Sequence, residues 1–392
     1  MQTTISPASA RPQNSSYEEA FEVIAAKTLR NLPDLAAGGR TWSFDKNGAY
    51  EEWNEGFFEI GNWTTGFFTG MGLLAYLRSK DAAYLRAMEG MERHYQRKVE
   101  EGAGDTMHDL GFLYSPYAVG LSILTGESRF RDMGLKAAGL LEQRFIESGS
   151  YIRAWGRMDE TGPEYDYDGL AIIDCMMNLP LLFWAARESG NRRFHEVAVR
   201  HADTTLQHFI RADGSVYHSF RFHPDGRPKG PDNYCGRGVE THWARGAGWA
   251  MYGFALAYRH TGDTRYREAS LKVSRAWLAL LDEEMVPVWD FRLPAGEDKL
   301  RDSSAAAIAV CAIQELDDAG LADEAMLAAK KALLERLCSP DYFDARPEVR
   351  GVLRFGEVGN GVGKARSAYT SWGDYYLMEA LGREMGLEIP WW

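Results

Sequence analysis

One phrase returns along this chain and limits what it can fold into. It consists of a helix end, a turn of small residues, an acidic or amide residue, and an aromatic three or four positions on. It reads Ser79-Lys80-Asp81 with Tyr84, and Thr125-Gly126-Glu127 with Phe130. It recurs as Ser189-Gly190-Asn191 with Phe194 and as Thr261-Gly262-Asp263 with Tyr266, with a weaker copy at Ala319-Gly320 before Asp323. Glycine tolerates the left-handed conformation that closes a last helical turn. Asp or Asn then accepts hydrogen bonds from the free N–H groups that open the next helix. The aromatic pins that helix to its neighbour. Each copy is a helical hairpin, and a repeat of hairpins implies stacked or ringed helix pairs.

Apolar spacing agrees. Gly169–Arg187 is apolar on nearly every side, as an inner helix is, and Pro180 should kink it or mark its first turn. Asn191–Phe209 alternates apolar residues with Arg and Glu, as an outer helix does. The same contrast joins Trp243–Tyr258 to Arg265–Leu281 and Ser303–Leu316 to Asp323–Leu337. About twelve helical segments lie between residues 17 and 385, so the expected architecture is all-α, an (α/α)6 barrel. An open α-solenoid is the rival, with shorter and more uniform repeats than these. Residues 1–15 are polar and expected to be flexible; residues 16–392 form one domain.

With a formal net charge of -12, nucleic acid is an improbable partner, because its affinity rests on cations that neutralise phosphates. An anionic sugar also demands local cations inside so acidic a chain. Part of the aromatic load of 12 Trp, 19 Tyr and 18 Phe is core, and a carbohydrate site would use some of it to stack on sugar faces. Four separated cysteines without a C-x-x-C spacing read as free thiols of a reducing compartment. The N-terminal stretch lacks an apolar h-region, and no run of about 18 apolar residues occurs; the expectation is a cytoplasmic protein off the membrane. No H-E-x-x-H, Cys/His cluster, phosphate loop or G-x-S-x-G is present, so neither a metal nor an organic cofactor is expected.

Carboxylates at the inner helices remain as candidates for chemistry. Asp174 lies within the apolar run Ile172-Ile173-Asp174-Cys175-Met176-Met177, where a carboxylate is rare without a partner. Burial raises a carboxyl pKa, as a proton donor at neutral pH requires; the competing reading is a buried Asp satisfied by backbone or hydroxyl groups. Asp109, in His108-Asp109-Leu110-Gly111, stands where it could equally cap a helix. Asp302 and Asp374 read as caps, and Glu164, Asp166 and Asp168 as solvated loop residues. Trp63, Trp155, Trp243 and Trp249 gather at loop–helix junctions and suggest a stacking groove. His218, His242 and Arg245 could hold a carboxylate.

The phrases NWTTGFFTG, HDLGFLYS, AWG, IIDCMMNLPLLFWA, YHSF, HWARGAGWAMYGFAL, VPVWDF, RDSSAAAIA and WGDYYLMEAL, in this order, resemble the unsaturated glucuronyl hydrolases, glycoside hydrolase family 88. The resemblance runs from about residue 60 to residue 386. It implies an (α/α)6 barrel without cofactor. The implied reaction takes the 4-deoxy-4-enuronic acid from the non-reducing end of lyase-generated oligosaccharides by hydrating its C4=C5 bond. It further implies that Asp174 is the acid/base and Asp109 its partner. Trp63, His108, Trp155, His218, Trp243, Arg245 and Trp249 are implied to touch substrate. Two departures stand out. Tyr234-Cys235-Gly236 replaces a His-Gln-Gly, and the S-x-x-S-x-K of sulfate-reading members survives only as Lys364, beside Gly359 and Val362. The expected partners are unsaturated uronic-acid oligosaccharides, met by a monomer or homodimer. An unsaturated rhamnogalacturonyl hydrolase, a sugar 2-epimerase working through paired His, and a non-catalytic helical scaffold are the alternatives.

Overall fold

The computed structural model describes residues 15–38, 44–45, 47–48, 50, 62–162, 164–359 and 367–392. Lys364 and all but the last residue of the expected flexible segment lie outside the described residues. Among the described residues thirteen α-helices follow one another. They are α1 (Ser15–Gly38), α2 (Thr65–Ser79), α3 (Ala82–Glu100), α4 (Leu110–Tyr114), α5 (Gly120–Thr125), α6 (Ser128–Glu142) and α7 (Leu179–Ser189). Then come α8 (Arg192–His208), α9 (Ala244–Thr261), α10 (Thr264–Leu278), α11 (Ser303–Asp318), α12 (Glu324–Leu337) and α13 (Ser371–Glu384). A wide π turn at Ser115–Val119 joins α4 and α5 into one rod; it contains Pro116, which has no N–H to give.

The inner rods close a ring. α2 touches α4, α4 touches α7, α7 touches α9, α9 touches α11, α11 touches α13, and α13 returns to α2. α3, α6, α8, α10 and α12 lie outside, and α1 fills the last outer place against α2, α3 and α13. This is the (α/α)6 barrel; a solenoid leaves the ring open. Burial follows position: α9 is buried from Ala244 to Ala257, whereas α8 buries only one stripe that includes Val197, His201 and Thr205.

The recurring phrase acts as its chemistry predicts. Gly126, Gly190 and Gly262 end α5, α7 and α9 at φ of 73°, 73° and 71°, and Lys80 adopts the same conformation after α2. Asp81, Asn191, Asp263 and Asp323 each accept a backbone N–H at the start of the following helix. Glu127 makes no such bond. The residue that opens the phrase works too. Ser79, Thr125, Ser189 and Thr261 each donate to the carbonyl four residues back and accept the N–H two residues on, so one hydroxyl ties the old helix to the new turn.

Two local expectations are corrected. The inner helix expected from Gly169 begins only at Leu179. Leu170–Ile172 is a strand paired antiparallel with Ser219–Phe222, and Ile173–Met177 is a 3-10 turn. Pro180 sits in the first turn of α7, where its missing N–H costs nothing. Asp374 does not cap α13. Thr370 does, and Asp374 inside the helix accepts the N–H groups of Val352 and Leu353 at 3.0 and 2.7 Å.

Candidate active site

The inner rods run parallel, and their N-terminal ends meet at one mouth of the barrel. Trp63, just before α2, stacks on Trp372 of α13 at 4.8 Å. The Trp372 indole donates to Ser304 at the start of α11. Asp302, which caps α11, takes Arg245 of α9 at 2.9 Å. The 3-10 turn ahead of α7 and the start of α4 complete the circle, joined by Asn178. Its Oδ1 accepts the Phe112 N–H at 2.8 Å, and its Nδ2 donates to the Asp174 carbonyl.

Close backbone approach fixes the turn that carries Asp174. A methyl group on Gly253 of α9 would come within 2.4 Å of Met176 Cβ, and one on Gly111 of α4 within 2.4 Å of Asn178 Cα. No larger residue fits either place without moving the turn.

Asp109 and Asp174 are brought together here. Asp109 precedes α4, yet its side chain makes no capping bond. It is buried, and its carboxyl is held well above the usual range by burial and then by the nearby Asp174 charge. Asp174 is pushed up to about 7, chiefly by burial; the Arg245 charge pulls the other way. Its side chain keeps 17% exposure, while Oδ2 is buried without a hydrogen-bond partner. Both carboxyls are held above the ordinary Asp range, so each resists ionisation near neutral pH.

Histidines flank both. His108 Nε2 lies 3.4 Å from Asp109 Oδ1, and His218 Nε2 lies 3.9 Å from Asp174 Oδ2. Burial keeps both rings neutral, His218 down to about 3. Trp243 meets His218 edge to face at 4.8 Å. Trp249 and Trp63 both pack against the Phe112 ring, at 5.1 and 5.7 Å. Trp155 stands further out, against Tyr167 and Tyr234. The indole N–H groups of Trp243 and Trp249 and the Nδ1 of His108 are buried without partners in the protein, which leaves them available to a sugar's oxygens.

Arg245 is placed differently from a free carboxylate clamp. Its Nη groups are committed to Asp302 and to the carbonyls of Glu357 and Val358. Its plane lies over Trp243 and Trp372 at 4.5 and 5.1 Å. His242 faces Phe291, away from this cluster.

Sequence reasoning missed two residues. Buried Arg144 donates to the carbonyls of Thr106, Arg153, Ala154, Trp155 and Gly156, shaping the segment on which the His108 N–H rests. It also draws Asp109 downward. An Arg after an outer helix gives no pattern to notice. Asn178, the polar residue just before Leu179-Pro180, was the readable signal for the joint it makes. Cys235, already set apart in the sequence as a departure from the family pattern, has its thiol pushed up to about 12 by burial and then by the Asp174 charge.

Among the described residues no group of three or more His, Cys, Asp and Glu could hold a metal ion, and no helix is long and apolar enough to cross a membrane. Residues 40–344 match the model of Glycosyl Hydrolase Family 88. The chain is 34% identical to an unsaturated chondroitin disaccharide hydrolase of Streptococcus pyogenes serotype M1, over 84% of this chain and 83% of that one. It is 33% identical to an unsaturated glucuronyl hydrolase of Bacillus sp. strain GL1, over 84% and 88%. The crystal structure of the Bacillus sp. GL1 enzyme superposes with a TM-score of 0.85 at 30% identity, covering 94% of this chain and 97% of that chain. An unsaturated glucuronyl hydrolase from Streptococcus agalactiae also gives 0.85, at 29% identity over the whole of both chains.

Proposed function

The chain belongs to glycosyl hydrolase family 88, and from that premise we propose how its site works on an unsaturated sugar. It is a glycoside hydrolase that removes the 4-deoxy-4-enuronic acid from the non-reducing end of unsaturated oligosaccharides. Asp174 is the acid. Its carboxyl, held near pH 7, still carries the proton that an enol ether needs at C4.

Protonation at C4 leaves positive charge shared between C5 and the ring oxygen. The Asp174 carboxylate so formed stabilises that charge and then takes a proton from the water that adds to C5. The resulting hemiketal opens to a ketone, C1 is released as an aldehyde, and the aglycone departs with its hydroxyl restored. One water is consumed. Attack never occurs at C1, so the carboxylate-separation rule of ordinary glycosidases does not apply.

Asp109 remains protonated while Asp174 is charged and donates a hydrogen bond to the sugar; the pair then carries one negative charge at the cationic stage. His108, Trp243 and Trp249 offer unspent polar atoms to the sugar oxygens, Trp63 and Trp155 offer faces, and Lys364 is a further candidate contact. Arg245 acts through the wall it builds with Asp302 and through its charge beside Asp174. Four free cysteines support work in a reducing cytoplasm, on imported fragments.

The observation that carries this reading is Asp174 on its 3-10 turn, only partly exposed, near the buried carboxyl of Asp109. Unsaturated disaccharides absorb in the ultraviolet through the conjugated enol acid. The purified protein is expected to abolish that absorbance with release of a keto acid, and Asp174→Asn is expected to lose at least about 100-fold in kcat while staying folded. Near-normal turnover in that variant would move the proton donor elsewhere.

A further inference from the structure

The ring of His218 is fixed in one tautomer. Its Nδ1 accepts two backbone N–H groups, those of Tyr234 at 3.0 Å and Cys235 at 3.2 Å. A nitrogen that accepts carries no hydrogen, and a neutral imidazole has only one. The hydrogen is therefore on Nε2, which faces Asp174 Oδ2. That oxygen is buried and has no hydrogen-bond partner in the protein, with the His218 nitrogen 3.9 Å away. The 17% exposure that the Asp174 side chain keeps does not lie on that buried oxygen.

We propose that His218 is a positioning residue that assigns the acid proton of Asp174 to Oδ1. An N–H aimed at Oδ2 makes that oxygen the acceptor. The carboxylic hydrogen is thereby excluded from it and sits on the oxygen that opens to the substrate. Without this bias a carboxyl spends part of its time with the proton on the buried side, where it cannot reach C4. The 3.9 Å separation closes to a hydrogen bond when the site fills, as catalytic contacts commonly tighten on binding.

The support for His218 comes from the segment after it. The Asn233 side chain bonds the Gly236 carbonyl and closes the turn that presents the two N–H groups. The hydroxyl of Tyr234 bonds Asp166, and Arg221 bonds that hydroxyl in turn. The aromatic wall that carries Trp155 and Tyr234 and the orientation of the acid are thus parts of one structure. Asp109 and His108 from the start of α4, Arg245 and Trp249 from α9, Cys235 from the turn and Cys175 beside it also face the carboxyl.

The inference rests on the reading of Asp174 as acid, and two variants separate its parts. His218→Asn keeps an acceptor at the δ position for both amides and removes the ε donor. His218→Gln keeps a donor near the ε position. His218→Asn is expected to lower kcat about tenfold or more with KM within about twofold, and to move the high-pH limb of the kcat profile upward, because a carboxylate stripped of a donor binds its proton more tightly. His218→Gln should recover most of kcat. Equal kcat in His218→Asn and wild type, or a loss confined to KM in both variants, overturns the proposal.

A second measurement needs no substrate. Nitrogen-15 spectra of histidine-labelled protein, assigned with the His218→Asn variant, should show His218 as the Nε2–H tautomer, unchanged between pH 5 and 8. A hydrogen on Nδ1, or titration in that range, also overturns it. Should the wild-type protein consume no unsaturated disaccharide, the reading of the reaction falls, and the spectrum still decides the tautomer.

Discussion

At the scale of single residues, the proton-donor role proposed for Asp174 works against stability. Its carboxyl titrates near pH 7 in the folded protein, against 3.8 for an ordinary Asp. Between those values the folded chain holds a proton that the unfolded chain has released, so stability falls as pH rises through that window and the full cost is present above it. Asp174→Asn removes the titration. It should melt higher than wild type at pH 8, by a difference worth a few kcal/mol, and the gain should vanish near pH 4; equal melting at both values would contradict the assigned burial cost. Activity follows the same group in the other sense. On the proposed mechanism the protonated form is the donor, so kcat is expected to fall as pH rises through about 7. Asp174 was legible because a lone carboxylate in an apolar run is anomalous wherever it folds. Arg144 was not, because what makes it matter is five carbonyls from Thr106 and from Arg153 to Gly156, which only the fold assembles.

At the scale of elements, the hairpins were legible because their punctuation is local. A left-handed closing residue, a bridging hydroxyl and a capping side chain lie within five residues of one another. Asp263→Ala removes a bond from the side chain to the Arg265 N–H and should cost about 1 kcal/mol, whereas Glu127→Ala, at a cap that makes no such bond, should stay within about 0.5 kcal/mol. Denaturant unfolding of the two variants checks the difference. The strand and 3-10 turn before α7 were illegible for the opposite reason. Leu170–Ile172 is as apolar as a helix interior, and what makes it a strand is a partner nearly fifty residues away, Ser219–Phe222. The turn that follows is held by absent side chains. Gly253→Ala forces Met176 and its backbone aside, so it should destabilise by about 1–3 kcal/mol and also lower kcat in the folded fraction. A stability loss with unchanged kcat would show that the turn can shift without carrying Asp174 with it.

At the scale of the whole molecule, the difficulty raised by the sequence was a formal net charge of -12 in a protein whose substrate is a carboxylate. The barrel answers it through orientation. Parallel inner rods turn six helix N-termini, each the positive end of a dipole, toward the mouth that holds Asp109 and Asp174. The opposite ends carry cations in their last turns, Arg78 on α2, Arg187 on α7, Arg259 on α9 and Arg383 on α13, which offset the negative poles there. Surface acids are screened by salt beyond about 8–10 Å, while dipoles ending inside a buried site are screened far less. A neutral methyl ester of the unsaturated uronate should therefore bind more weakly than the free acid, by about tenfold if the ends together supply about 1.4 kcal/mol. The KM of the free acid should change by less than about threefold between 0.05 and 0.5 M salt, because the attraction is internal. A steep rise of KM with salt would place the attraction on exposed side chains instead. An ester that binds as well as the acid would mean that the parallel helices serve closure of the ring and nothing more.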